Sequence, residues 1–161
     1  MRVKNIVDED FVNYKRPSMF ISTSICDWKC CKEQNLDISI CQNVDIVKQP
    51  TVDISADEIF RRYISNPISE VIVFGGLEPM MQFDEMYEVI KTFRNNGCND
   101  TIIIYTGYEI KEISEQCNKL KADFNNIILK TGRYIPNHKP HYDEILGINL
   151  ISDNQKGVIL C

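Results

Sequence analysis

Apolar residues follow two patterns along this chain, short continuous runs and runs with helical spacing. The continuous runs are typical of strands that are buried on both faces. The four predicted strands are 18–24, 71–74, 101–105 and 126–130. Between them, apolar side chains recur every three or four residues, which predicts amphipathic helices. The three predicted helices lie between Ser55 and Pro67, over 82–94 and around 110–120.

The alternation of strands with helices predicts an α/β fold. Right-handed βαβ connections join parallel strands and place the helices outside the sheet. We therefore expect a single domain over 1–161 with a mostly parallel sheet, and short edge strands near 146–150 and 158–160. Ligands of such sheets bind beyond the carboxyl ends of the strands. Residues that directly follow the strands are therefore the first candidates for a functional site.

The composition narrows the class of protein. A chain of 161 residues with 43% hydrophobic and 25% charged residues can bury a real core. A net charge of −5 argues against nucleic-acid binding, which needs a basic face. No apolar run approaches the roughly 20 residues of a membrane span, and the N-terminus lacks the apolar core of a signal peptide. We expect a cytoplasmic protein that binds neither membrane nor nucleic acid.

The cysteines provide the clearest candidate chemistry. Seven are present, and four of them fall within sixteen residues of a long loop at about 26–50: Cys26, Cys30, Cys31 and Cys41. An odd count without a signal peptide argues against a disulfide scaffold. A loop of this length is usually functional or disordered, and its cysteines favour function. Two sites remain open here, an iron–sulfur cluster on three thiolates and a zinc site on all four.

The spacing of these cysteines carries a family resemblance. Cys26-x3-Cys30 resembles the first half of the Cys-x3-Cys-x2-Cys loop of radical S-adenosylmethionine enzymes. Cys41-Gln42-Asn43 resembles the Cys-aromatic-Asn at the third ligand of the anaerobic ribonucleotide reductase activases, with glutamine replacing the aromatic residue. Ten residues lie between Cys30 and Cys41, where the family has two, so we interpret most of 31–40 as an insertion. Cys31 stays open as an alternative to Cys30, or as an occasional fourth thiolate.

Other stretches resemble the same family, in the same order along the chain. Gly75-Gly76-Leu77-Glu78-Pro79 is similar to its Gly-Gly-Glu-Pro motif with one residue inserted. Tyr105-Thr106-Gly107-Tyr108 resembles a strand end of the activases, and 152–159 resembles their terminal segment. The resemblance covers roughly residues 18–160. The chain is therefore identified as similar to the glycyl-radical enzyme activases of the radical S-adenosylmethionine superfamily.

The resemblance implies a fold, cofactors and a reaction. The fold would be a partial (β/α) barrel, and the cofactors a [4Fe–4S] cluster on Cys26, Cys30 and Cys41 together with S-adenosylmethionine. Reductive cleavage of S-adenosylmethionine would produce a 5′-deoxyadenosyl radical. That radical would abstract hydrogen from a glycine of a partner such as an anaerobic ribonucleoside-triphosphate reductase. An electron donor such as flavodoxin or ferredoxin would reduce the cluster.

The resemblance also implies roles for individual residues, with no catalytic side chain beyond the cluster and S-adenosylmethionine. Gly75, Gly76 and Glu78 would position the methionine end of the cosubstrate, and Ile40 would lie near its adenine. The weaker candidates for ribose or adenine contacts are Thr106, Tyr108 and Asn154.

Three alternatives remain at this point. The chain could be a radical enzyme of the same fold that modifies a peptide or a small molecule. It could be a binding module with a zinc-stabilised loop and no turnover. It could also be a relative that binds a cluster without cleaving S-adenosylmethionine, because both signature motifs carry insertions.

Overall fold

The computed structural model describes every residue from Met1 to Cys161. The nine strands are β1 (Arg2–Asp10), β2 (Ser18–Thr23), β3 (Val52–Asp53), β4 (Val71–Gly76), β5 (Ile102–Tyr105), β6 (Ile127–Thr131), β7 (His141–Asp143), β8 (Ile148–Leu150) and β9 (Lys156–Ile159). The five α-helices are α1 (Lys29–Lys32), α2 (Val44–Val47), α3 (Ala56–Ile64), α4 (Phe83–Asn95) and α5 (Ser114–Asp123). Short 3₁₀ turns cover Ile38–Ile40, Pro79–Gln82 and Ile110–Glu112.

Seven strands form one mixed sheet in the order β3-β1-β2-β4-β5-β6-β9. The four central strands β2, β4, β5 and β6 are parallel, and β1 and β9 flank them in antiparallel orientation. Strands β7 and β8 form a separate hairpin. The α/β class with parallel central strands is thus confirmed. The sheet is open between its edges β3 and β9 and forms no closed barrel, and the partial barrel stays a prediction.

The two faces of the sheet are covered differently. Helices α3, α4 and α5 pack on one face, where Phe93 lies 5.2 Å from Phe60 and 5.3 Å from Tyr63 between ring centroids. The opposite face holds a smaller apolar cluster, covered by Tyr14 and by residues of the β7–β8 hairpin region such as Leu146. Because helices cover one face only, the other face is left to loops and to the cavity described below.

Local signals explain where the helices begin and end. The Ser55 side chain accepts a hydrogen bond of 3.1 Å from the Glu58 amide at the start of α3, as its capping motif predicts. Helix α4 ends at Asn95, and Gly97 follows with a φ of 79°, a conformation that favours glycine. The predicted helix around 110–120 is divided into the 3₁₀ turn Ile110–Glu112 and α5. None of the helices is long and apolar enough to cross a bilayer.

Several parts of the fold differ from the sequence-based expectation. Strands β3 and β7 were not predicted, and the expected loop at about 26–50 contains the short helices α1 and α2. Strand β1 was not predicted, because register shifts after Val3 and after Val7 interrupt its alternation of side chains. The predicted strand at 146–150 corresponds to β8, which pairs with β7 instead of joining the main sheet. The predicted strand near 158–160 corresponds to β9 and is confirmed at the sheet edge.

The packing of α4 predicts the effect of a core truncation. Phe93→Ala removes a fully buried ring that contacts two aromatic neighbours, and we expect a loss of about 3–5 kcal/mol in the free energy of unfolding. Urea denaturation followed by circular dichroism measures this. The matched control is Phe11→Ala, whose ring is 63% exposed and should change stability by no more than about 0.5 kcal/mol. Equal losses in the two variants would contradict the assignment of the core.

Candidate functional site

The four loop cysteines line one cavity of about 320 Å³ at the carboxyl ends of the parallel strands. The cavity borders the smaller apolar cluster, to which Tyr105, Ile148 and Leu150 also contribute. Its cysteine lining consists of Cys26, Cys30, Cys31 and Cys41. All seven cysteines are free thiols, and the other three are outside this lining, buried in or packed against the main core. The structure therefore separates the cysteines into the two groups that their spacing in sequence suggested.

Cys26 and Cys30 are positioned by the end of β2 and by the single turn α1. The Cys26 Sγ accepts a hydrogen bond of 3.3 Å from the Trp28 amide, and Trp28 has a left-handed φ of 60°. The Cys30 Sγ packs directly on Gly107, the second residue after β5, where an added Cβ would lie 2.8 Å from the sulfur. Only glycine at position 107 leaves room for the Cys30 thiol in this place.

Cys41 is positioned by contacts of the two residues that follow it. The Asn43 side chain donates a hydrogen bond of 2.6 Å to the Gly76 carbonyl at the end of β4. The Gln42 side chain donates a hydrogen bond of 3.1 Å to the Tyr134 hydroxyl. The Asn43 bond ties the third cysteine of the predicted ligand set to the glycine motif, although Asn43 and Gly76 are 33 positions apart in the sequence.

Glu78 joins the glycine motif to the end of β5. Its buried carboxylate accepts hydrogen bonds from the Thr106 hydroxyl at 2.7 Å, the Gly107 amide at 2.9 Å and the Met80 amide at 3.1 Å. Burial raises the pKa of Glu78 to about 7, although the three hydrogen-bond donors favour the ionised form and lower the pKa. The carboxylate lines the cavity and also holds the ends of two strands together.

A network of charged side chains fastens α1 to the segment after β5. The Arg133 guanidinium contacts Glu33 and Glu112 at 2.8 Å each and donates to the Gly107 carbonyl. Lys29 forms a further ion pair with Glu112. The Arg133 hydrogen bond lowers the pKa of Glu112 to about 2. The network joins the cysteine loop to Gly107, the residue on which Cys30 packs.

The structure brings some predicted site residues together and leaves others outside the cavity. Gly76, Glu78 and Thr106 contribute to the lining. The predicted residues outside the lining are Ile40, Gly75, Tyr108 and Asn154. An added Cβ on Gly75 would meet the Phe20 ring at 2.9 Å, so this glycine serves packing within the sheet.

The three other residues outside the lining have identifiable contacts or exposure. The Tyr108 hydroxyl donates to Asp27 at 2.7 Å. Asn154 donates to the Arg133 carbonyl at 2.9 Å, and Ile40 is 42% exposed. Tyr108 and Asn154 thus stabilise the surroundings of the cavity from outside its wall.

Sequence reasoning missed several polar residues of the cavity lining: Asn13, Lys130, Asn149 and Gln155. Lys130 on β6 forms no salt bridge, and burial lowers its pKa to about 8. Gln155, just before β9, is 4% exposed, and its Oε1 is buried without a hydrogen-bond partner. A lysine that ends an otherwise apolar run was the available signal for Lys130. The available signal for Gln155 was its place in the 152–159 segment, which resembles the terminal segment of the activases.

The thiols match the donor chemistry of an iron–sulfur cluster but are not preassembled around one point. No three His, Cys, Asp or Glu side chains are arranged as a formed metal site. Burial raises the pKa of the Cys26 thiol to about 12, so this thiol is neutral in the present arrangement. Clusters bind thiolates, and ligation would therefore release protons. Four thiols in one cavity provide the three or four donors that such a cluster needs.

One protein family matches most of the chain. The family described as "4Fe-4S single cluster domain" matches residues 15–155, which include all four loop cysteines and the strands from β2 to β8. The chain belongs to this family. No curated protein and no solved structure matches it. The expected [4Fe–4S] cofactor is confirmed at this level, and the ligand set within the domain stays a prediction.

The Cys30 sulfur packs on Gly107. We therefore expect that a methyl group added at position 107 weakens cluster binding in this 4Fe-4S single cluster domain. Gly107→Ala should displace the Cys30 sulfur and lower the iron and sulfide retained per chain after anaerobic reconstitution, toward the level of Cys30→Ala. Iron and sulfide analysis with the absorbance near 400 nm measures this. The control is Gly97→Ala, which meets no neighbour within 4 Å but costs about 1 kcal/mol through its positive φ. Full iron content in both Gly107→Ala and Cys30→Ala would point to Cys31 as the second ligand.

The buried carboxyl of Glu78 predicts a pH dependence of stability. Its pKa of about 7 in the folded protein exceeds the ordinary value of 4.5, so the folded state binds the proton more tightly. This contribution to stability is complete below about pH 4.5 and is lost as the pH rises through 7. Between pH 5.5 and 8.5 the wild type should lose about 2 kcal/mol relative to Glu78→Gln.

Urea denaturation of metal-free protein at the two pH values measures this difference. Glu115→Gln, at an exposed position of α5, is the control and should follow the wild type. A wild type that becomes more stable relative to Glu78→Gln on raising the pH would show that the carboxyl is ionised well below pH 7.

Proposed function

We propose that this 4Fe-4S single cluster domain is a radical S-adenosylmethionine enzyme of the glycyl-radical activase type. The observation that carries the proposal is the single cavity in which the loop cysteines lie beside the glycine motif, Glu78 and Thr106. A cluster held by Cys26, Cys30 and Cys41, with Cys31 as the alternative to Cys30, leaves one iron open for the cosubstrate. An open sheet with helices on one face is compatible with the partial (β/α) barrel expected for this class.

The reduced cluster, when bound, supplies the electron that cleaves S-adenosylmethionine into methionine and a 5′-deoxyadenosyl radical. The chain itself contributes binding, orientation and exclusion of water. Apolar side chains of the β8 region, such as Ile148 and Leu150, line the cavity together with Tyr134. Such a lining limits the access of water to a reactive species.

Lys130 supports recognition of the methionine end. Lys130 is half-buried, and its ammonium lies 5.7 Å from the Tyr105 ring centroid with no carboxylate partner. A ligand that carries a negative charge would supply that partner. The α-carboxylate of S-adenosylmethionine has that charge, and the low local dielectric strengthens the attraction. Glu78 would act on the ammonium group of the same moiety, since a nearby cation favours the ionised form of a carboxyl whose pKa lies near 7.

Exposed apolar side chains at the cavity support a macromolecular substrate. Val12 and Ile151 line the cavity and are 74% and 46% exposed, and the neighbouring Phe11 is 63% exposed. Exposed apolar groups beside a binding cavity are typical of surfaces that contact a partner. A glycine-bearing segment of a glycyl-radical enzyme, such as an anaerobic ribonucleotide reductase, would enter here. Flavodoxin or ferredoxin would be the electron donor, in the cytoplasm.

Product analysis of cysteine variants tests the reaction. Protein reconstituted anaerobically with iron and sulfide, then reduced with dithionite in the presence of S-adenosylmethionine, should release 5′-deoxyadenosine. The alanine variants of Cys26 and Cys41, and of one residue of the Cys30/Cys31 pair, should lose the product, because each removes a thiolate of the cluster. Cys117→Ala is the matched control, since this buried cysteine of α5 lies outside the cavity.

The outcomes separate the proposal from its alternatives. A cluster without product would favour a binding module or a partner-dependent reaction. Tight zinc uptake by all four thiols without iron would overturn the enzyme. Formation of a glycyl radical signal in electron paramagnetic resonance, after addition of a glycyl-radical enzyme from the same genome, would identify the substrate class.

A further inference from the structure

Strand β8 borders the cavity with its backbone edge. The four consecutive residues 148–151 all line the cavity, although side chains along a strand alternate between its two faces. One face alone would supply only every second residue, so the backbone edge itself faces the cavity. The partner strand β7 contributes no residue to the lining. The cavity therefore lies along the edge of β8 that is turned away from β7.

This edge of β8 has no partner within the chain. Apart from the pairing with β7, the backbone groups of 148–151 form no hydrogen bond. A two-stranded hairpin is only marginally stable by itself in water, and a third strand adds stability. The β7–β8 sheet thus has an open place for one more strand, and that place lies in the cavity.

The edges of the main sheet are treated differently. On β1 the Asp8 carbonyl accepts hydrogen bonds from Asn66 at 3.0 Å and from Ser69. On β9 the Gly157 amide donates to Asp143 at 2.7 Å. Proteins cover strand edges in such ways because unpaired edges bind other extended chains. The uncovered edge of β8 is an exception among these edges.

The open edge also reaches the mouth of the cavity. The lining residues that are exposed mark this mouth: Val12, Gln42, Asn149 and Ile151. Two of them belong to 148–151. An extended segment that enters here can lie beside β8 at the usual strand spacing of about 4.8 Å. It then lies in the same cavity as the loop cysteines.

We propose that the edge of β8 binds an extended segment of a protein substrate as a third strand of the β7–β8 sheet. In this mode of recognition, main-chain hydrogen bonds provide the affinity and side-chain contacts provide the specificity. A glycine in the segment allows its backbone to approach the reacting groups closely, because glycine has no Cβ. The proposal rests on the function proposed above and states how its macromolecular substrate is held.

Hydrogen–deuterium exchange of the cluster-loaded protein tests this mode of binding. The probe is the synthetic peptide acetyl-Thr-Val-Ser-Gly-Val-Thr-Val-amide at millimolar concentration, with S-adenosylmethionine present under anaerobic conditions. The peptide should slow exchange over 148–151 at least about threefold, because amides at this edge then donate to its carbonyls. Exchange in β9 should not change. Absence of protection over 148–151 overturns the proposal.

Two N-methylated forms of the peptide distinguish strand addition from other binding. The N–H groups of successive residues in a strand point to alternate edges. Methylation of one alternate set of amides should weaken binding roughly 10-fold, and methylation of the other set should leave it close to that of the parent peptide. Fluorescence anisotropy of labelled peptides measures the affinities. Equal affinities of all three peptides, or an equal loss in both methylated forms, would exclude strand addition.

A pair of variants locates the site on the protein. Ile151→Asp places a charge beside the open edge and should weaken peptide binding roughly 10-fold. Ile159→Asp is the matched control, since Ile159 is 66% exposed on β9 and lies outside the cavity lining. Iron content and circular dichroism show whether each variant retains the cluster and the fold. Equal peptide affinities of the two folded variants would contradict the assigned site.

The measurements separate this proposal from the proposed function. Release of 5′-deoxyadenosine without protection of 148–151 by the peptide overturns strand addition and leaves the radical chemistry in place. Protection of 148–151 without release of 5′-deoxyadenosine supports strand addition and counts against the enzyme.

Discussion

The buried carboxylate of Glu78 is the contact on which the geometry of the site depends. It accepts hydrogen bonds from Thr106 and Gly107 and so fixes the end of β5 relative to the end of β4. A buried carboxyl is stable only where such donors surround it. Because the Cys30 thiol packs on Gly107, the position of this cysteine is set indirectly by Glu78. One acidic side chain in the glycine motif thereby links the strand ends to the thiols.

A second layer of polar contacts holds the cysteine loop from outside. Arg133 reaches both α1 and the turn after β5, and Gln34 donates to the carbonyls of Cys30 and Tyr134. Isolated ion pairs at such partly exposed positions each contribute up to about 1 kcal/mol. These ion pairs mainly restrict the conformation of the cysteine loop, which has few apolar contacts with the core. The loop is therefore ordered mainly by hydrogen bonds to neighbouring strand ends.

Sequence reasoning located the strands of the core and the convergence of the motifs, but not all side chains of the site. Continuous apolar runs identify buried strands without tertiary information, and parallel strands bring their carboxyl ends to one edge. Whether Tyr108 or Lys130 faces the cavity depends instead on twist, register and competing hydrogen bonds. Tyr108 bonds to Asp27 outside the cavity wall, and Lys130 lies in the wall. Gln155 acquires its place through an antiparallel pairing that periodicity does not reveal.

The separate anchoring of Cys30 and Cys41 has a consequence for the evolution of this loop. Cys30 is positioned by Gly107 and by the Gln34 bond to its carbonyl, and Cys41 by the bond from Asn43 to Gly76, so each cysteine has its own anchor. Closing a connection of eleven residue positions, as between Cys30 and Cys41, costs only about 1 kcal/mol more in chain entropy than closing one of three positions. The connection between the two cysteines can therefore vary in length while both thiols stay in place. A motif with a fixed number of residues between the cysteines does not describe this arrangement, whereas the contacts that hold each cysteine near a strand end do.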